Sequence, residues 1–428
     1  MPRASSAGGP GFFRSSDGRI YEGWHTVGGS ALVTFVAVGS VVYGFGSIFE
    51  PLRTELQWSA FVVSLGFALR SEVGGLAAPL VGFALDQVGP QRVVRLGVLL
   101  SAAGVLSLSF TWHLWQFFPS VALIAVGSTA AGGQVGHYAV ASWFRAKRAR
   151  AMSFMTLGGA AGGLFPVIVA VGVEEIGWRQ TLRVFSVVIL VLGLALSRLV
   201  KARPAAHPQP IDGIELPVGE AARPAVEWNI PYRDAVRSSA FRQIVTFNIA
   251  ADFGRLAYLT HLVAFVERDL RATAVGAGTA LTVSTLASLI GRLGSGVLAD
   301  RYDVTRVAAA TMVPFAIGAL VLAAATEPWH AYAGAVFGGI GFGASIPVRP
   351  AMYVEFFGLE SFGRVMGVGR LASTTGGFLG GALIGLIVDA SDGSYGSGWL
   401  IVAGVAAASV PLMLLVRPPR ELQDRHRV

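Results

Sequence analysis

The sequence predicts an all-α integral membrane protein of about 12 transmembrane helices, arranged as two pseudo-symmetric six-helix bundles. Three observations predict it: scarcity of charge, apolar runs of bilayer-spanning length, and self-similarity at one fixed offset. Of 428 residues, 53% are hydrophobic and 14% are charged, where a soluble domain carries roughly 25% charged residues. Mean hydropathy is +0.61. A surface so poor in charge suits contact with lipid.

A helix needs roughly 20 mostly apolar residues to cross a bilayer. Such spans fall at 27–49, 59–85, 93–111, 115–142, 151–173 and 179–199, and again at 241–265, 273–299, 305–325, 330–354, 364–389 and 398–416. Between the sets lies a polar stretch, 201–240, with prolines at 204, 208, 210, 217, 224 and 231. It reads as a linker, with 228–237 forming a short helix at the membrane surface. The expected organisation is a tail at 1–26, a first bundle at 27–200, the linker at 201–240, a second bundle at 241–416 and a tail at 417–428. Residues 1–26 lack the apolar core and cleavage site of a signal peptide. The absence of cysteine excludes disulfides and thiolate metal sites.

The net charge of +8 would suggest nucleic-acid binding in a soluble chain. Here the basic residues fall in alternate loops: Arg92, then Arg145 to Arg150, Lys201 and Arg203, Arg301 and Arg306, and Arg364. The intervening loops hold little beyond Arg53, Arg268 and Arg271. Positive charge marks the cytoplasmic side, so both termini are expected there, in a cell membrane crossed many times.

The repeat places Gly82 and Asp86 against Gly296 and Asp300 at an offset of 214, half the chain. Arg92 then matches Arg306, Arg150 matches Arg364, and Gly162-Gly163 match Gly376-Gly377 in the same register. A duplicated six-helix unit explains this, and parallel repeats about an axis along the membrane normal are a transporter plan. Asp86 and Asp300 are gating candidates. Each sits at the cytoplasmic edge, where it can accept from Arg92 or Arg306, or from a neighbouring helix end. The bland alternative is a topology anchor. Gly158 with Gly162, and Gly376 with Gly380, have the spacing of close helix packing, which serves a static contact or a sliding one.

Ionisable groups at membrane depth cost about 2.5–3.5 kcal/mol each on insertion scales, so each is a site candidate. Arg70 and Glu72 lie in the second span, Asp252 and Arg255 in the seventh, Arg292 in the eighth, Arg370 in the eleventh and His137 in the fourth. Asp252 and Arg255 share a helical face and either neutralise each other or serve a proton or substrate. Glu72 and Asp252 are the candidate proton carriers. Arg292 and Arg370 have no acid within a turn, and their planar forks suit a carboxylate. Arg370 alternatively snorkels to water, and His137 alternatively makes a helix contact. Tyr43 and Tyr258 either line a cavity or pack.

Glycine at 82 and 296 with Asp86 and Asp300, each followed by arginine, resembles the loop motif of the major facilitator superfamily. The resemblance covers about 27–416 and implies a cavity between two bundles worked by alternating access. The segment from Tyr43 to Leu52, the segment from Trp143 to Met152, and Ile290-Gly291-Arg292-Leu293-Gly294 are similar to the monocarboxylate and oxalate/formate branch. That match implies that Arg292 holds a substrate carboxylate. The chain departs from the animal-type pattern at Ser288, where an aspartate is usual, and at about Ser47, where a lysine is.

The leading expectation is a secondary active transporter of a small, monocarboxylate-like organic anion, driven by proton coupling or exchange. The alternative is an exporter of drugs or hydrophobic metabolites. A membrane sensor of the same fold would carry a signalling domain or long tail, and the tails are short. An enzyme is not expected, because no nucleotide loop, metal cluster or nucleophile motif is present. Expected partners are the anion, protons and the lipid bilayer, with the chain acting as a monomer and no nucleic acid, nucleotide or cofactor.

Overall fold

The computed structural model describes residues 13–15, 18–42, 44–204, 206–213 and 228–427. Among them, 10 continuous helical runs are long and apolar enough to cross a membrane. One run, Arg148–Ser197, spans 50 residues and turns at Gly177, where φ is 76°. Glycine alone takes that angle freely, so the run is two helices. A broken helix precedes the ten, in segments Glu22–Val33, Thr34–Gly39 (a π-helical stretch), Ser40–Val42 and Phe45–Leu56.

The elements are therefore α1 (22–56), α2 (Ala60–Val88), α3 (Pro90–Ser109), α4 (Leu114–Trp143), α5 (148–176) and α6 (178–197). After the linker come α7 (Ser239–Arg268), α8 (Ala274–Ala299), α9 (Val304–Ala323), α10 (Pro328–Phe357), α11 (Phe362–Ala390) and α12 (Gly396–Leu414). The expected spans hold to within a few residues except for α1. It continues past residue 49 through Pro51 to Leu56, into a polar turn carrying Glu50, Arg53 and Glu55, and stops at Gln57, where φ is 53°. Leu80, Val167, Val275 and Ile290 are among the most exposed side chains. Aliphatic groups on the outside of a helical bundle match a hydrocarbon surrounding.

Helices α1–α6 enclose one core, with Val33, Ile48, Val98, Phe117 and Ile189. Helices α7–α12 enclose another, with Tyr258, Leu262, Phe315 and Trp399. A third cluster joins Trp143, Phe144 and Met152 of the first half to Phe241, Phe357 and Phe362 of the second. It lies at the face that bears both termini, called here the terminal face. The spaced glycines pack inside each half: a Cβ on Gly158 would meet the Ala31 carbonyl of α1, and Cβ atoms on Gly376 and Gly380 would meet Ile249 and Phe253 of α7.

The linker is anchored at both described ends. Asp212 accepts hydrogen bonds from the backbone N–H groups of Arg145, Ala146 and Lys147, at 3.0, 2.9 and 3.2 Å. Asn229 Oδ1 accepts from those of Leu359 and Glu360, at 3.2 and 3.3 Å. Residues 359 and 360 are the counterparts of 145 and 146 at the offset of 214. The surface helix is shorter than expected, Tyr232–Arg237. Before it, Trp228 pairs with Arg427 of the tail, and Pro231 fixes a non-helical turn.

Candidate functional site: the cleft between the halves

The two halves meet through α2 with α11, α5 with α8 and α10, and the inner part of α4, Gly133–Trp143, with α10 and α11. The close approaches concentrate toward the terminal face. A Cβ on Gly82 would fall 1.9 Å from the Gly363 carbonyl oxygen, and one on Gly296 would strike Ser153. Only glycine fits either place.

Two carboxylates secure this closed end, each reaching across to the opposite half. Asp86 accepts from the backbone N–H of Gly363 (2.8 Å) and Arg364 (3.1 Å) and from Arg364 Nε (2.9 Å). Asp300 accepts from the backbone N–H of Ala149 (2.8 Å) and Arg150 (3.4 Å) and from Arg150 Nε (2.5 Å). First-turn N–H groups have no acceptor within their own helix, and the helix dipole favours an anion there. Burial pushes the Asp300 carboxyl up from its usual range, against the lowering pull of Arg150 and the two amides. Of the partners considered from sequence, the neighbouring helix end is the one realised. Arg92 and Arg306, in the first turns of α3 and α9, are exposed, and neither side chain meets these carboxylates.

Above the latches the interface is charged. Asp252 Oδ1 on α7 accepts from Arg255 Nε (2.9 Å) and from Arg349 Nη1 on α10 (2.8 Å). The side of α11 that faces α2 carries Gly363, Gly367 and Thr374. Arg370 falls on the same stripe. It is exposed yet within electrostatic range of Asp252, Arg255 and Arg349. An accessible side chain on the stripe of α11 that meets α2, with these charges in range, makes Arg370 a candidate for the site. Its guanidinium makes no hydrogen bond to a described residue. Arg370 lies eight residues into α11, about 12 Å along the helix.

Arg292 is 6% exposed. Its Nη1 donates to the Thr156 carbonyl of α5 at 2.9 Å, and its guanidinium lies 5.8 Å from the Phe342 ring centre. Thr156 is the counterpart of Arg370 at the offset of 214, so the duplicated contact α5–α8 carries its arginine on the opposite partner. His137 is 6% exposed and neither ring nitrogen has a hydrogen-bond partner among the described residues. It stands within electrostatic range of Arg370. Nearby Gln134 donates across the halves to the Gly363 carbonyl at 2.9 Å. Arg70 and Glu72 on α2 are half-buried and make no hydrogen bond or ion pair to a described residue.

Tyr258 is set apart from this group. It is 1% exposed, inside the second core, and donates to Ser284 Oγ at 3.0 Å, so of its two expected roles the structure places it in packing. Tyr43 lies outside the described residues. Sequence reasoning missed Arg349, although its position inside the expected span 330–354, between Pro347 and Pro350, was signal enough. It also did not single out Arg150 and Arg364 as latch partners; their match at 214 was visible, but the helix end each occupies was not. Among the described residues no group of histidines and acids has metal-binding geometry.

Comparison with known proteins gives one consistent answer. A family model described as Major Facilitator Superfamily matches residues 31–265 and 244–427. A transporter of Gibberella moniliformis described as MFS-type is 26% identical over 384 residues, covering 88% of this chain and 85% of its own. Bovine monocarboxylate transporter 13 is 25% identical, covering 90% of this chain and 86% of its own. Among solved structures, the Escherichia coli fucose:proton symporter superimposes with a TM-score of 0.70 at 14% identity, over 92% of this chain and 99% of that one. A human organic anion transporter gives 0.67, also at 14% identity and with the same coverage.

Proposed function

The chain belongs to the major facilitator superfamily and is a multi-pass membrane transporter, and we propose that it is a secondary active carrier of a small organic anion. The observation that carries this reading is the excess of arginine in the cleft: Arg255, Arg349 and Arg370 surround one carboxylate, Asp252, and Arg292 lies at the neighbouring contact of the halves. Cations kept at membrane depth against their insertion cost select a negative ligand. Relatives described as monocarboxylate transporters agree with it.

In this reading the bundles 27–200 and 241–416 rock about the cleft, and the structure is the conformer closed at the terminal face. The basic loops on that face make it the cytoplasmic one, so the cleft opens outward from a cell membrane. The substrate carboxylate meets Arg370 first. Arg292, held by Thr156 across the halves, engages when that contact is exchanged for the substrate. Asp252 is committed to two guanidinium groups, so proton coupling falls to Glu72, and exchange needs no acid at all.

The test is uptake and counterflow of radiolabelled carboxylates in proteoliposomes, with and without a pH gradient. Arg292→Ala is expected to cut carboxylate flux at least about tenfold, the scale of one lost charge-assisted contact. Unchanged flux would remove Arg292 from the site. A fungal relative described as a fujikurins efflux protein, 25% identical over 59% of this chain, favours a second reading, export of hydrophobic metabolites. Movement of lipophilic dyes but no carboxylate selects that reading.

A further inference from the structure

Asp252 has more partners than its sequence neighbourhood predicted. Arg255, three residues on, donates to Oδ1 through Nε at 2.9 Å. Arg349 donates to the same oxygen from α10 at 2.8 Å, and its Nη2 approaches Ser345 Oγ at 3.4 Å. The three side chains differ in accessibility: Asp252 is 10% exposed, Arg349 16% and Arg255 32%. Arg255 is thus held by its inner nitrogen. Its two Nη groups make no hydrogen bond to a described residue, and Arg255 is the most accessible side chain of the triad. Arg370 stands within electrostatic range of all three.

We infer that Arg349 is a positioning residue that makes Arg255 an anion-binding group, with Asp252 as the shared mount. The inference rests on the anion-carrier reading above. It assigns Arg349 a role through charge rather than through contact with substrate. Two guanidinium groups on one carboxylate leave one net positive charge, which one substrate carboxylate neutralises. Without Arg349, Asp252 and Arg255 form a neutral pair, and the triad's share of the attraction toward an anion is lost although Arg255 remains in place. Arg349 lies between Pro347 and Pro350 inside the continuous helix α10, on the turn that faces Asp252 of α7. From there its guanidinium reaches across to α7 and donates to Asp252 at 2.8 Å.

The test is a charge-rescue series measured by counterflow in proteoliposomes with radiolabelled pyruvate, lactate and benzoate. Arg349→Gln is expected to raise KM about tenfold with Vmax within twofold of wild type, the scale of one lost charge-assisted interaction. The double variant Arg349→Gln with Asp252→Asn restores one net positive charge at Arg255 and is expected to return KM to within about threefold of wild type. Arg349→Lys keeps the charge and is expected to stay near wild type. A merely structural Arg349 predicts the opposite order, with the double variant worse than the single one, and that order overturns the inference. So does an unchanged KM in Arg349→Gln. If wild type moves none of the three probes, the anion-carrier reading fails and the inference with it. If wild type moves them and rescue fails, only the inference falls.

Discussion

At the scale of single residues, the cleft sorts its ionisable groups by partner. Asp252 is paired with two arginines, while Glu72 makes no ion pair with a described residue. The two acids that the sequence offered as equivalent proton carriers are therefore not equivalent. Glu72→Gln is expected to abolish the stimulation of uptake by an inward proton gradient and to leave counterflow within about twofold of wild type, since counterflow needs no net proton movement. Loss of both activities together would make Glu72 part of the fold or the substrate site. These assignments were only half legible in the sequence. The cost of charge in lipid flagged all of the triad but Arg349, and which arginine meets which carboxylate depends on helices almost 100 positions apart, such as α7 and α10.

At the scale of elements, the latches are the first turns of α5 and α11, each closed by a carboxylate from the other half. One cap contributes about 0.5–2 kcal/mol, enough to matter for a conformational equilibrium of a few kcal/mol. The chain has no cysteine, which gives a clean probe. Ser153 is 1% exposed and packs against Gly296 at the α5–α8 contact. In a Ser153→Cys background, Asp300→Ala is expected to raise the rate of maleimide labelling about tenfold, because 1.4 kcal/mol shifts an equilibrium tenfold. No change in labelling would make Asp300 an anchor without a gating role. The paired positions and their depth were readable at the offset of 214. That the carboxylates cross between halves was not, since a repeat reports likeness and says nothing about which copy touches which.

For the molecule as a whole, the duplicated plan extends beyond the membrane spans. Asp212 and Asn229 cap equivalent loops, at 145–147 and 359–360, from the two ends of the linker. These loops lead into the latched helices, so the linker is tied to the closed end of both halves. Asp212→Ala combined with Asn229→Ala is expected to act in the direction of Asp300→Ala and to raise Ser153→Cys labelling severalfold. Two caps of about 1 kcal/mol each set that scale. Labelling unchanged from wild type would mean that the linker only tethers.

The sequence by itself determined the membrane, the number of helices, their pairing into two related halves and most of the costly charges, Arg349 being passed over. Each follows from composition, from segment length against bilayer thickness, or from self-similarity, all of which are written along one chain. Tertiary structure alone decided that the halves close at the face of the termini, that Asp86 and Asp300 reach to Arg364 and Arg150, and that Arg349 completes the triad on Asp252. It also decided that Tyr258 belongs to a core and the spaced glycines to contacts within each half. The physical reason is common to all of these. Each is a contact between residues far apart in sequence, fixed by how two rigid bundles dock, and no local pattern encodes the docking.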